Sequence, residues 1–217
     1  MRILITAGPT REYVDDVRFL SNASSGRMGY AIAAAAILAG HQVELVTGPV
    51  ELTPPAGCRI HRIETTDQLR ETCLRLFPAC DGVIATAAVC DYRPRQRVSG
   101  KMTKTGQPIV LELVETSDVL AELGAAREHR WVVGFALESQ DPRNNAMRKL
   151  RMKNCTCIVL NDTSAIGSAT NHVEVLSPDA ETIAEYQGPK ETVARQLLEL
   201  IETLAVQRGT VTHPAAR

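Results

Sequence analysis

Apolar and polar positions alternate along this chain with two different periods, and the switches between them mark out its elements. Residues 2–7, RILITA, form a short apolar run stopped by Gly8-Pro9, which predicts a strand buried on both faces. A polar stretch over residues 8–25 reads as a loop. Residues 26–40, GRMGYAIAAAAILAG, predict a helix with Gly40 placed to close its carboxyl end. QVELVTG, stopped by Gly48-Pro49, predicts the second strand and RIHRIET the third. TDQLRETCLRLF predicts an amphipathic helix with Leu69, Cys73 and Leu76 on one face. GVIATAAV is apolar throughout, as central parallel strands are.

Residues 90–108 then read as a basic loop, IVLELV as an alternating strand and SDVLAELGAAREH as a helix. WVVGFAL predicts another buried strand. Asp141 and Pro142 predict a helix start, with Asp as N-cap and Pro in the first position, and the helix runs to about Asn154. CTCIVL predicts a strand ending at Asn161-Asp162, and period two places Cys155 and Cys157 on one face. HVEVL and TIAEY flank Pro178-Asp179 as a hairpin, and Gly188-Pro189 opens a last helix. Strands alternating with helices predict an α/β fold: a Rossmann-like, mainly parallel sheet with helices on both faces and a small antiparallel extension. The expected domain spans residues 1–208, with a flexible tail over 209–217.

A length of 217 residues suits one domain, or one domain with an appendage. The net charge of -1 excludes a general polyanion binder. Phosphate affinity must be local, and neither nucleic acid nor membrane is an expected partner. No run is long enough to cross a bilayer. The six cysteines have no metal-finger spacing, and Cys155-x-Cys157 suits a core better than a metal or redox site. Met1 leads into the first strand without an apolar leader, so the expected setting is the reducing cytoplasm, with free thiols.

In parallel α/β sheets, ligands bind beyond the carboxyl ends of the strands. Those ends carry Gly8-Pro9-Thr10, Thr47-Gly48, Ala87-Ala88, Gly134-Phe135 and Asn161-Asp162. Ser24-Ser25-Gly26 stands just before a helix. It suits a capped helix, with Ser24 or Ser25 as N-cap, or an anion held by the unpaired amides of the first turn. An NAD(P)-dependent oxidoreductase needs closely spaced glycines between the first strand and its helix, and an acid ending the second strand. Here a long polar segment separates Gly8 from Gly26, and Thr47-Gly48-Pro49 ends the second strand. None of the five histidines pairs with a Ser or Cys in a hydrolase pattern.

Four stretches stand together: TAGPTREYVDDVRFLSNASSGRMG, AAVCDYRP, GKMTK and VGFALES…KLRMKN…LNDTS. In that order and spacing the sequence resembles the phosphopantothenate–cysteine ligases (phosphopantothenoylcysteine synthetases) of coenzyme A synthesis, over nearly the whole chain. The resemblance implies a two-step reaction. The carboxylate of 4′-phosphopantothenate attacks the α-phosphate of a nucleoside triphosphate, with CTP favoured, and pyrophosphate leaves. The amine of cysteine then attacks the acyl-nucleotide, giving 4′-phosphopantothenoylcysteine and a nucleoside monophosphate. Also implied are Mg²⁺ with the triphosphate, no flavin, and a homodimer in which the lysine loop covers the site. This domain often follows a flavin-dependent decarboxylase in one chain. Here the first strand starts at Met1, so a stand-alone ligase is expected, with a separate decarboxylase as an expected partner.

The resemblance carries catalytic roles to Asn22, Lys101 and Arg18. It carries nucleotide binding to Gly8, Ser24, Ser25, Gly26, Ala87, Ala88, Asp91, Lys101, Phe135, Lys149 and Lys153. It offers Asp91 and Asp118 as metal contacts. Both substrates are anionic, so the chemistry needs fixed donors and cations rather than a nucleophilic side chain, and these residue types supply them. The sequence departs from the family pattern at several positions. Arg27 stands where lysine is frequent, Ala23 where histidine is common, and Thr103 interrupts the lysine motif. LVETSDVL keeps only Asp118 of the usual Asn-Pro-Asp. The rival reading is a nucleotide-binding regulatory protein that has lost the chemistry; retention of both Asn22 and Lys101 argues against it.

Overall fold

The computed structural model describes residues 1–138, 140–161 and 168–207. β1 (Arg2–Ala7) leads into a small hairpin, β2 (Arg11–Tyr13) and β3 (Phe19–Ser21), and then α1 (Arg27–Leu38). β4 (Gln42–Thr47), β5 (Arg59–Arg62), α2 (Thr66–Leu76) and β6 (Gly82–Ala85) complete the first half. The second half runs through β7 (Tyr92–Pro94), β8 (Leu113–Glu115), α3 (Val119–Ala125), β9 (Trp131–Leu137) and α4 (Pro142–Met152). β10 (Cys157–Asn161), β11 (Thr170–Leu176), β12 (Thr182–Pro189) and α5 (Lys190–Gln207) follow.

The main sheet has the order β12-β11-β10-β9-β6-β1-β4-β5. Neighbours from β5 to β10 are parallel, and β11 and β12 are added antiparallel. The expected Rossmann-like α/β sheet with an antiparallel extension is therefore the one observed. Alternating side chains feed two cores. Ile3, Ile5 and Val133 pack with α1 and α5 on one face, and Leu4, Val83 and Val132 with α2, α3 and α4 on the other. Chain order reverses between β1 and β6, so their carboxyl ends border a crevice. Gly40 (φ 83) closes α1 as expected, with the Gly40 and His41 N–H groups donating to the Ile37 and Ala36 carbonyls at 3.0 and 2.9 Å.

Several expectations are corrected. The segment read as loop contains the hairpin β2–β3, whose three-residue strands are too short for period two to register. No serine caps α1: Gly26 (φ 74) holds the N-cap position without a side-chain bond, and Ser24 Oγ accepts from the Gly26 N–H at 3.4 Å. IVLELV does not enter the main sheet. Only its last residues are extended, in β8, which pairs with β7 from the basic segment. Ile109, Val110 and Leu111 stay exposed because that ribbon is separate from the sheet. The helix expected as far as His129 stops at Ala125, where Asn154 Nδ2 donates to the Gly124 carbonyl at 2.9 Å.

Cys155 lies just before β10, after left-handed Asn154 (φ 48), and packs in the α2–α4 core while Cys157 packs in the other. The expected shared face is lost, although both are buried. Asp141 sits at the N-cap of α4 in left-handed backbone (φ 43), and its carboxylate accepts from the Asn144 side chain instead of capping. Gly188-Pro189 ends β12 rather than opening α5, on an edge strand where a missing N–H does least harm. Asp162 and the tail 209–217 lie outside the described residues. Among those described, no helix is long and apolar enough to cross a membrane.

The cysteines form no disulfide. Burial pushes the Cys73 thiol up to about 12, and Cys80 and Cys155 up to about 11. Cys58 and Cys90 are raised for the same reason.

A buried carboxylate ties three strands together. Glu44 of β4 accepts from Arg2 of β1 at 2.6 Å and from Arg59 of β5 at 3.4 Å, and bonds His61 of β5 at 2.7 Å. Burial alone would push its carboxyl up, but the bonds from His61 and Arg2 outweigh this and hold it below the ordinary carboxylate range. A depressed folded value means that its stabilisation is present above the unfolded value, about 4.3, and is lost as pH falls through the folded one. Urea midpoints should therefore drop as pH falls below about 4.3, and drop less in Glu44→Gln. A second test concerns Gly29 of α1. A Cβ there would lie 2.4 Å from Thr86 Oγ1 and 2.6 Å from Ala7 Cβ. Gly→Ala inside a helix ordinarily gains about 1 kcal/mol. Gly29→Ala should instead lose about 1–3 kcal/mol in urea unfolding, because α1 must move off β1.

Candidate active site

The crevice at the strand reversal opens into a cavity of about 880 Å³. Its lining begins with Thr6 of β1 and residues 85–89 after β6, then residues 22–29 around the start of α1. Residues 115–120 at the start of α3, residues 135–137 of β9, and Arg148, Lys149 and Lys153 at the end of α4 complete most of it.

Three glycines let the backbones meet at this point. Gly8 (φ 73) turns the chain after β1 and Gly26 (φ 74) turns it into α1. A Cβ on Gly26 would lie 3.3 Å from the Gly8 nitrogen, and one on Gly48 would lie 1.8 Å from the Pro9 carbonyl oxygen. Glycines far apart in sequence are thus adjacent in space, and the hairpin β2–β3 is the excursion between them. Past Gly8 the chain continues beside the segment after β6: the Ala88 N–H donates to the Gly8 carbonyl at 3.0 Å and the Thr10 N–H to the Ala88 carbonyl at 3.2 Å.

Most of the expected site residues lie around this one cavity: Asn22, Ser24, Ser25, Gly26, Ala87, Ala88, Asp91, Asp118, Phe135, Lys149 and Lys153. Gly8 lies behind Gly26. Arg18 and Lys101 are outside the lining. They are near each other instead, with Arg18 Nη2 donating to the Met102 carbonyl at 3.1 Å. Asn22 Nδ2 donates to the Ala88 and Val89 carbonyls at 3.2 and 2.9 Å, so its amide donor is engaged and its carbonyl oxygen is left for a ligand or solvent.

Two of the cavity lysines are balanced by acids: Lys149 by Glu138 at 2.6 Å and Lys153 by Asp118 at 3.2 Å. Asp118 also caps α3, accepting from the Ala121 N–H at 3.1 Å. Asp91 is exposed, and its carboxylate has no partner among the described residues. Those residues contain no cluster of three or more side chains suited to hold a metal.

The sequence reading missed Thr86, Arg148 and Lys190. Lys190 is almost wholly buried at the start of α5, and its Nζ donates to the Ser168 carbonyl at 2.5 Å. Burial pushes its ammonium down, and the charge of Arg27 pushes the same way. Two cations therefore crowd the mouth of α1, where helix amides already favour an anion. No local signal marks Lys190, because only the return of β12 to the sheet edge brings it there.

Residues 1–204 match the family described as the DNA/pantothenate metabolism flavoprotein C-terminal domain. The chain belongs to that family. This bears out the resemblance read from the four sequence stretches. Over 212 residues the chain is 40% identical to the coenzyme A biosynthesis bifunctional protein CoaBC of Bacillus subtilis, covering 95% of this chain and 52% of that protein. It is also 40% identical to the crystallised C-terminal domain of a CoaBC protein, with a TM-score of 0.80 over 95% of this chain and 96% of that one. The DNA/pantothenate metabolism flavoprotein of Streptococcus pneumoniae, 24% identical, shares the fold at a TM-score of 0.83 over 94% of this chain and 99% of that one. The chain spans about half the length of the curated relatives it matches.

Proposed function

We propose that this chain, as one domain over residues 1–208, is a phosphopantothenate–cysteine ligase of coenzyme A synthesis. The observation that carries the reading is the cavity at the strand reversal. It gathers a helix N-terminus, Arg27, Lys149, Lys153 and Lys190 around a space of about 880 Å³, large enough for an anionic nucleotide. The family relationship to CoaBC proteins points the same way.

In the first step a carboxylate oxygen of 4′-phosphopantothenate forms a bond to the α-phosphorus of CTP. The bond from that phosphorus to the bridging oxygen breaks, and pyrophosphate departs with the electron pair. In the second step the amine nitrogen of cysteine bonds to the acyl carbon, the acyl–oxygen bond breaks, CMP leaves and the nitrogen loses a proton to solvent. No enzyme nucleophile is required. Amides of residues 24–26 and the nearby cations bind the phosphates, and Phe135 packs beside the base. Lys101 stabilises the oxyanion of the second step, with Arg18 and Asn22 beside the acyl-phosphate.

Magnesium bound to a triphosphate needs one or two carboxylates, its other oxygens coming from phosphate and water. Asp91 fits that role, and Asp118 would have to give up its helix cap and Lys153. The ion would neutralise phosphate charge. The exposed Ile109, Val110, Leu111 and Leu113 on and beside the β7–β8 ribbon suit a second copy of the chain, which supports a homodimer with the lysine loop over the site. A flavin-dependent decarboxylase acting on the product is the expected partner, and the free thiols suit the cytoplasm.

The test is pyrophosphate release. It should require both CTP and phosphopantothenate, CTP should outcompete ATP, and amide should appear only when cysteine is added. Release without phosphopantothenate, or none with either nucleotide, would overturn the reading. Asn22→Asp places a negative charge beside a phosphate and removes the amide that holds the Ala88 and Val89 carbonyls, and should lower amide formation by about 10²-fold. Single-turnover product analysis measures this, and normal product formation would remove Asn22 from the site.

A further inference from the structure

Two adjacent carboxylates hold the backbone on both sides of Lys101. They lie at the tip of the hairpin β2–β3, where the Val14 N–H donates to the Arg18 carbonyl at 2.8 Å. Asp15 is fully buried. Its Oδ1 accepts from the Val17 and Arg18 N–H groups at 2.8 and 2.7 Å, and its Oδ2 accepts from Arg18 Nη1 and from the Met102 N–H, both at 3.1 Å. Asp16 is half-exposed. Its Oδ2 accepts from the Gly100 N–H at 2.7 Å and its Oδ1 from Arg97 Nη2 at 2.9 Å, while its own N–H donates to the Gly100 carbonyl at 3.3 Å. Residues 100 and 102 are therefore each held by a carboxylate, and residue 101 is the one between them.

The surroundings reinforce the grip. The Val98 N–H donates to the Val14 carbonyl at 2.9 Å, and the Arg97 guanidinium stacks 4.8 Å from the Tyr13 ring centroid. Gly100 (φ 73) supplies the turn. Burial alone would push the Asp15 carboxyl up, but the N–H bonds from Val17, Arg18 and Met102, with the charge of Arg18, hold it below the ordinary range.

We infer that Asp15 and Asp16 are positioning residues that fix the backbone of Lys101 relative to the hairpin leading into Asn22. A lysine on an exposed loop sweeps a large volume. With both flanking amides tied, the backbone is fixed and only the side-chain rotations of Lys101 remain, which narrows the volume its ammonium sweeps. The same Asp15 carboxylate orients Arg18, so one buried group sets two cations.

This inference rests on the ligase reading for its consequence in turnover, but not for the clamp itself. The experiment compares wild type, Asp15→Asn and Asp16→Ala. Hydrogen exchange should quicken at the Gly100 and Met102 amides: at Met102 in Asp15→Asn and at Gly100 in Asp16→Ala. Single-turnover kinetics should show pyrophosphate release within about twofold of wild type, and amide formation slowed about tenfold or more in Asp15→Asn and less in Asp16→Ala. Asp16 is exposed enough that its variant tests the idea even if Asp15→Asn does not fold. Unchanged exchange at both amides overturns the clamp. Faster exchange with amide formation at the wild-type rate, or both steps slowed equally, overturns the positioning role. A wild type that releases no pyrophosphate defeats the ligase reading and with it the role in turnover; exchange still decides the clamp.

Discussion

The contact on which the site depends is between two pieces of backbone. Gly8, just past β1, and Gly26, at the head of α1, come so close that a methyl group on either meets the same Val50 side chain. Both have positive φ, which a side chain would strain. Their approach sets the head of α1 over the carboxyl end of β1 and points its free amides into the crevice. The hairpin between them leaves and re-enters at one place. It is a closed loop, whose length can grow at a cost of only about 0.6 kcal/mol per doubling. The sheet therefore carries an insertion without being distorted by it.

Around that contact the charges fall into two groups. In the cavity, Lys149 and Lys153 are matched by Glu138 and Asp118, whereas Arg27 and Lys190 crowd each other at the head of α1. A helix N-terminus with two cations beside it favours an anion there. Outside the cavity, Arg18, Lys101 and Arg97 belong to the hairpin and the basic segment, and are organised by Asp15 and Asp16. The cavity is thus part of the sheet, and the cations outside it stand on an appendage.

The long apolar runs were legible because burial on both faces leaves few alternatives: β1, β4, β9 and β10 lie where RILITA, QVELVTG, WVVGFAL and CTCIVL placed them, and Leu69, Cys73 and Leu76 do face the core. What failed was set by distant partners. β2 and β3 are three residues each, and a ribbon so short is held by what packs on it rather than by its own pattern. IVLELV alternates like a sheet strand but finds no place in the sheet. Cys155 and Cys157 were separated by a left-handed turn at Asn154 that no pattern announces. Ser24 looked like a cap, yet positive φ at Gly26 gave the N-cap position to glycine. Around the site, the residues matched by motif fall largely on one cavity. Lys190 was invisible because it arrives by way of the antiparallel extension.

The withdrawn thiols have a consequence of their own. Disulfide exchange needs a thiolate, and burial keeps these cysteines protonated. An enzyme proposed to work on free cysteine meets a small thiol at every turnover. A reactive sulfur beside the cavity would be at risk of capture as a mixed disulfide whenever conditions turned oxidising. Cys90, next to the site, has its sulfur buried and donating toward the Thr10 carbonyl, and so is shielded from such a thiol.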